Sequence, residues 1–383
     1  MFKESLGTII PIAYVRFVFY LGDMSQVDQL AGFRAVGRAA RTNPTNRFES
    51  REREAFHDGW PVEVDLPPLR TEVTVERPRR VITRNRSPDI GFDQSINPYR
   101  GCEHGCIYCF ARPTHAFLGL SPGLDFETRL VARPGAPEIL ERELRAKSYR
   151  PAVIAMGTNT DPYQPIEREY RIVRRILETL NECRHPVAMV TKGTLIERDL
   201  DILGEMGRLG LARVGISMTT LDARLARKME PRAPSPKRRL ETIRRLAEAG
   251  CPVRVMVAPV VPALTDHELE AILVQAAEAG AIAASWIMLR LPLEVSPLFQ
   301  EWLAEHYPDR AHRVMGRVRE LHNGRDYDPE WGRRMTGQGV FADMVAHRFS
   351  IAARRLGIAA KPPPLRTDLF KRPVRVGDQL SLL

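Results

Sequence analysis

From about residue 92 the chain alternates short apolar runs with longer amphipathic stretches. The apolar runs fall at 153–156, 187–190, 214–218, 253–258 and 282–289. Stretches rich in Arg, Glu and Leu lie around them, at 138–147, 167–181, 197–209, 237–249 and 266–279. Apolar runs spaced by helices read as buried parallel strands of βαβ units. Gly210, Gly250 and Gly280 each follow a helical stretch, as C-terminal caps do. A further strand should precede Cys102, giving six βα units. Six such units build a partial barrel or an open twisted sheet, and both bind ligands at the C-terminal ends of their strands.

The flanks read differently. Residues 5–22 are apolar and aromatic, but the run is short for a membrane span and holds Pro11 and Arg16. No small-residue cleavage site follows. Met24 comes next, so residues 1–23 are expected to be an upstream segment outside the native chain. Residues 24–91 form an irregular Arg- and Pro-rich extension, with short strands expected at 71–76 and 80–84. Residues 92–294 carry the barrel. Residues 295–383 look helical and end in a basic tail.

Composition narrows the class. An apolar fraction of 44% supports a sizeable core and excludes disorder. The balance of 57 basic against 47 acidic residues gives a charge of +10, which permits a phosphate-bearing partner. Only seven of those basic residues are lysines. So strong an arginine bias is better read as a GC-rich coding sequence than as a nucleic-acid footprint. Five cysteines in 383 residues are too few for a disulfide scaffold. Trp286, Trp302 and Trp331 read as core, and His312, His322 and His347 fit no metal-ligand spacing.

Three of the five cysteines fall together in Cys102-Glu-His-Gly-Cys106-Ile-Tyr-Cys109. Three thiols cannot all pair with one another, so disulfides do not account for them. Metal ligation does, in one of two ways. Zinc would take three thiolates and the imidazole of His104 or His115. An iron–sulfur cluster would take the three thiolates and leave one iron open.

The C-x3-C-x2-C spacing with an aromatic before the last cysteine resembles the radical S-adenosylmethionine (SAM) superfamily. The resemblance implies a partial (β/α)6 barrel, a 4Fe-4S cluster on Cys102, Cys106 and Cys109, and SAM chelated at the open iron. It implies reductive cleavage of SAM to a 5′-deoxyadenosyl radical that abstracts hydrogen from a substrate. It also implies an electron donor such as a flavodoxin or ferredoxin. Within the superfamily, Asn97-Pro-Tyr-Arg-Gly-Cys102, Thr158-Asn-Thr-Asp161-Pro-Tyr-Gln-Pro165 and Thr191-Lys192-Gly193 resemble the spore photoproduct lyase-related branch over residues 92–300. Tyr108 would then pack near the adenine. Thr158, Asn159, Thr160 and Asp161 sit at a strand end, suited to the SAM amino group. Lys192 suits the SAM carboxylate, Ser217 the ribose or carboxylate, and Arg232 the carboxylate. Each has a plainer reading too. The Thr158–Asp161 run is also an Asx-type turn before Pro162, and Lys192 and Arg232 are also ordinary loop cations.

One departure stands out. The lyases carry a hydrogen-donor cysteine near the end of the second strand, where this chain has Ala155-Met-Gly-Thr. Cys183 and Cys251 each precede a strand, at the end of the barrel away from the cluster, and read as inert buried thiols. The specific lesion-repair reaction is therefore not implied, and the substrate hydrogen donor is not identifiable. Two other readings stay open: nucleic-acid repair or modification, and a non-enzymatic iron–sulfur or zinc sensor. Oxygen-sensitive thiolate chemistry points to the cytoplasm and away from a membrane.

Overall fold

The computed structural model describes residues 29–30, 33–34, 37–49 and 69–374. The expected upstream segment, part of the early extension and the end of the basic tail lie outside the described residues.

Six parallel strands form the body of a seven-stranded sheet: β1 Gln94–Ile96, β2 Ile154–Met156, β3 Val187–Thr191, β4 Ala212–Met218, β5 Val253–Val260 and β6 Ala283–Met288. They lie side by side in chain order. Thr83–Arg84 adds an antiparallel edge against β1. The barrel-side helices are α1 Ala136–Arg145, α2 Ile172–Glu182, α3 Leu200–Arg208, α4 Pro236–Glu248 and α5 Leu269–Glu278. Strand order, strand count and the strand–helix alternation match the expected partial (β/α)6 barrel.

Side-chain alternation explains why these strands sit where they do. Met156, Met189, Val214, Ile216, Val255 and Val257 point outward and share one core with Leu140, Ile176, Leu203, Ile243 and Ile272 of the helices. Their neighbours along each strand point inward and line a lumen. Gly210, Gly250 and Gly280 have φ of 70°, 87° and 99°, as expected of helix caps.

The expected helix at 167–181 is two helices, Glu167–Tyr170 and α2, broken at Arg171 (φ 51°). The reason is Glu167, whose fully buried carboxylate accepts from the Val173 N–H of α2, the Tyr99 hydroxyl and Arg198. Similarly, the stretches at 197–209 and 266–279 each begin as a 3-10 turn, Thr194–Asp199 and Asp266–Glu268.

The C-terminal part is helical as expected: α6 Val295–His306, α7 Pro308–Leu321 and α8 Val340–Arg355. Helices α6 and α7 bury Phe299, Trp302 and Val314 against Ile107 and Tyr108, so they pack on the cysteine loop. Helix α8 joins the outer core and ties to α5 through Arg348 and Glu270. Trp331 corrects its expectation. It lies in the loop between α7 and α8 and is 60% exposed. Among the described residues no helix is long and apolar enough to cross a membrane.

Gly157 follows β2 with φ 86°, and a Cβ there would sit 1.9 Å from the Val190 carbonyl oxygen. Gly157→Ala should cost more than about 3 kcal/mol, because backbone rather than a side chain must yield. A melting temperature within 2 °C of wild type, roughly the effect of 1 kcal/mol in a chain this long, would contradict this.

Candidate cluster and cofactor site

The cysteine loop leaves the short strand Tyr99–Arg100 and lies at the mouth formed by the C-terminal ends of the barrel strands. That strand belongs to a separate three-stranded sheet with Arg129–Ala132 and Glu72–Val75. Backbone bonds pin the loop: Cys102 N–H to Phe126 O, Ile107 N–H to Met229 O, and Arg112 N–H to Cys109 O.

A buried ion pair fixes the loop from beneath. Arg112 is fully buried and donates to the carbonyls of Cys106, Gly105, Pro122 and Gly123. Its guanidinium also meets Glu127 at 2.5 Å. Glu127 in turn accepts from the backbone N–H of Ala39 and Ala40. Gly105 (φ 66°) passes so close that a Cβ would lie 2.6 Å from the Glu127 carboxylate. The stretch around Arg38–Ala40 is thus buried beneath the cluster loop.

All three thiols are free of disulfides. Burial pushes each upward, Cys106 to about 12. Thiolates at this depth require a positive partner, which a metal centre supplies while displacing the protons. One zinc ion would draw its sulfurs to within ~3.8 Å of one another, given Zn–S bonds near 2.3 Å. Among the described residues, no three His, Cys, Asp or Glu side chains converge to hold a single ion. Each imidazole named for zinc keeps a buried Nδ1 without a hydrogen-bond partner. His104 Nδ1 lies 3.3 Å from Asp161 Oδ2, and His115 donates through Nε2 to the Arg129 carbonyl. The three-thiol donor set fits a multi-iron cluster with one iron left open.

Asp161 is the hub on the facing loop. It accepts from Thr191 Oγ1 (2.5 Å), Lys192 N–H (2.7 Å) and Tyr163 N–H, and its own N–H reaches Cys102. Burial alone would raise its carboxyl; the His104 charge and these donors hold it at about 2. Thr158 and the Asn159 N–H both donate to Asn97 Oδ1, and buried Thr160 donates to the Tyr99 carbonyl. The TNTD and NPYRG motifs are therefore one interlocked unit, which sequence alone did not reveal.

Tyr108 is buried, and its hydroxyl bonds Glu230 and Thr219. Glu230 also pairs with the buried Arg239, which donates to the Ser217 carbonyl. Burial would raise Glu230, but Arg239 and Lys192 outweigh it and hold the carboxyl at about 2. Lys192 lies over the Tyr108 ring, its nitrogen 5.6 Å from the centroid. Burial disfavours its ammonium, yet the facing Cys106 and Glu230 raise its pKa. Ser217 is buried at the end of β4. Arg232 is spent on an ion pair with Glu103 (2.8 Å), and with His104, Gly193 and Pro234 it lines a cleft of about 410 Å³. The structure thus brings Tyr108, Asp161 and Lys192 around the cysteine loop, places Ser217 near the end of β4, and sets Arg232 at the loop's outer side.

Sequence reasoning missed Glu230, Arg239, Arg112 and Glu127, since nothing local marks them. It also missed Phe110, 45% exposed beside Cys109, with the Arg290 guanidinium 4.8 Å above its ring. Cys183 and Cys251 are buried and precede β3 and β5, at the end away from the loop, as expected.

A model of the radical SAM superfamily matches residues 96–276. The chain belongs to this superfamily. The cofactors of radical SAM proteins are a 4Fe-4S cluster and SAM. The chain is 37% identical to an uncharacterized protein of Mycobacterium tuberculosis, Rv2578c, over 74% of this chain and 81% of that one. It is 25% identical to the uncharacterized MJ0683 of Methanocaldococcus jannaschii, over 56% and 76%. Among solved structures, spore photoproduct lyase bound to a dinucleoside spore photoproduct aligns with a TM-score of 0.55 at 15% identity, covering 79% of this chain and 86% of the lyase. At that identity the likeness is one of fold. This radical SAM chain thus shares its fold with the lyase.

Proposed function

We propose that this radical SAM protein binds SAM against Cys102, Cys106 and Cys109 and uses it to abstract hydrogen from a substrate held in the barrel lumen. The observation that carries the reading is the convergence of three free thiols, two buried and one half-buried, with Asp161, Lys192 and Tyr108 at the barrel mouth. When bound, the cluster and SAM supply a one-electron cleavage of the sulfonium that yields a 5′-deoxyadenosyl radical. The chain's own residues position it. Lys192, held over Tyr108, offers an ammonium to the SAM carboxylate. Asp161 fixes the 158–161 loop so that Thr158 and Asn159 face the amino group. Ser217 lies within the same mouth. Arg232, already paired with Glu103, orders the cysteine loop in this reading.

Lys192→Met should weaken SAM binding about tenfold or more, since it removes a charge-assisted bond from a partly dry site. Equilibrium dialysis on anaerobically reconstituted protein measures it. Unchanged affinity would remove Lys192 from the site.

A reaction like that of spore photoproduct lyase is less well supported. The strand end that should carry a donor thiol reads Ala155-Met156-Gly157. If the chain acted on nucleic acid instead, affinity would fall steeply with salt.

A further inference from the structure

The inward faces of the strands form layers that can be read from the register. The lowest holds Ser95, Ala155, Ala188 and Arg213. Above it come Val190, Gly215, Arg254 and Ala283, then Ser217, Met256 and Ser285. Two arginines therefore occupy the floor of the lumen on adjacent strands, surrounded by the smallest side chains of the barrel. Most other arginines of the barrel wall meet a carboxylate or a set of carbonyls. These two do not. Among the described residues neither pairs with an acid. Arg254 reaches only the Met256 sulfur at 3.5 Å, and Arg213 only the Pro363 carbonyl at 3.2 Å. Burial lowers the pKa of both, and for Arg254 the charge of Arg213 lowers it further. The Ser285 hydroxyl, one layer up, is buried without a partner.

Two guanidiniums carry ten N–H donors between them and favour planar, bidentate oxyanions. Both arginines are half-buried, and holding like charges side by side without an anion is unfavourable. The lumen floor is also partly covered beneath β4 to β6. Ala359 pairs with Ala283, the Arg366 N–H bonds the Gly210 carbonyl, and Pro363 touches Arg213, so the segment between them crosses the floor. A partly covered floor suits the terminal group of a small molecule better than a chain passing through.

We propose that Arg213 and Arg254 bind a terminal carboxylate or phosphate of the substrate at the lumen floor, with Ser285 bonding the same molecule one layer higher. The remainder of the molecule rises toward the cysteine loop, about 13 Å along β5 from Arg254 to Ala258. This deepens the reading above, on which it rests only in taking the lumen as the substrate space.

Thermal unfolding of the reconstituted protein tests it without a known substrate. Inorganic phosphate or glutarate near saturation should raise the melting temperature by about 4 °C beyond a sodium chloride control of equal ionic strength. A larger shift with phosphate assigns a phosphate-bearing substrate, and a larger shift with glutarate a carboxylate. Arg254→Gln should abolish the shift, and Arg213→Gln, at the more open position, should reduce it at least fivefold in anion affinity. Wild type responding to neither anion, or Arg254→Gln responding like wild type, overturns the site. The measurement needs no SAM cleavage. A missing shift in a protein that cleaves SAM therefore sinks this proposal alone, and a shift in one that does not cleave SAM sinks only the radical reading.

Discussion

Glu230→Ala should destabilise the protein by about 3–5 kcal/mol, the cost of leaving buried charge uncompensated. The carboxylate faces Arg239 and Lys192 at once and accepts from Tyr108 and Thr219. Removing it strands two cations at the barrel mouth and frees the aromatic ring beneath the cofactor position. Urea unfolding followed by circular dichroism measures the loss. Glu230→Gln should fall between, because the amide keeps an acceptor but loses the charge. The acid limb agrees in sign. A carboxyl held at about 2 contributes stability above its unfolded value near 4, and that contribution fades as pH falls toward 2. A Glu230→Ala variant within 1 kcal/mol of wild type would mean that the network does not hold the site.

Arg112→Met should cost a similar ~3–5 kcal/mol, for a related reason. It leaves Glu127 buried and charged, and releases four loop carbonyls from their shared donor. The Glu127 carboxylate also anchors Ala39 and Ala40, so the two effects separate. With Arg112→Met alone the cysteine loop loosens and iron content after reconstitution should fall below half. With Glu127→Met added, part of the stability should return, giving a coupling above about 2 kcal/mol. The 38–48 stretch should then become open to proteolysis. Additive losses would show that the pair does not act as a unit.

These two networks mark where sequence reading stops. The cysteine spacing, the apolar runs and the cap glycines are local signals, and each led to the right element. Six parallel strands follow from them because alternation and spacing are set within each βα unit. Glu230 and Tyr108 are a different case. They are 122 residues apart, and only the return of the chain after β4 brings them together. Ala39 and Glu127 meet for the same kind of reason, and Arg213 and Arg254 become neighbours only through strand register. The break at Arg171 was hidden because a buried glutamate, rather than a glycine or proline, ends one helix and caps the next. Trp331 read as core because aromatic content says nothing about a loop's outward face.

The most direct test of the central claim is anaerobic SAM cleavage by the reconstituted wild type and by Cys102→Ala, Cys106→Ala and Cys109→Ala. The account predicts a brown wild type with broad absorbance near ~400 nm that releases 5′-deoxyadenosine, and three variants with activity reduced at least about a hundredfold. A colourless wild type holding a single zinc ion, or cysteine variants that keep full cleavage, would contradict it.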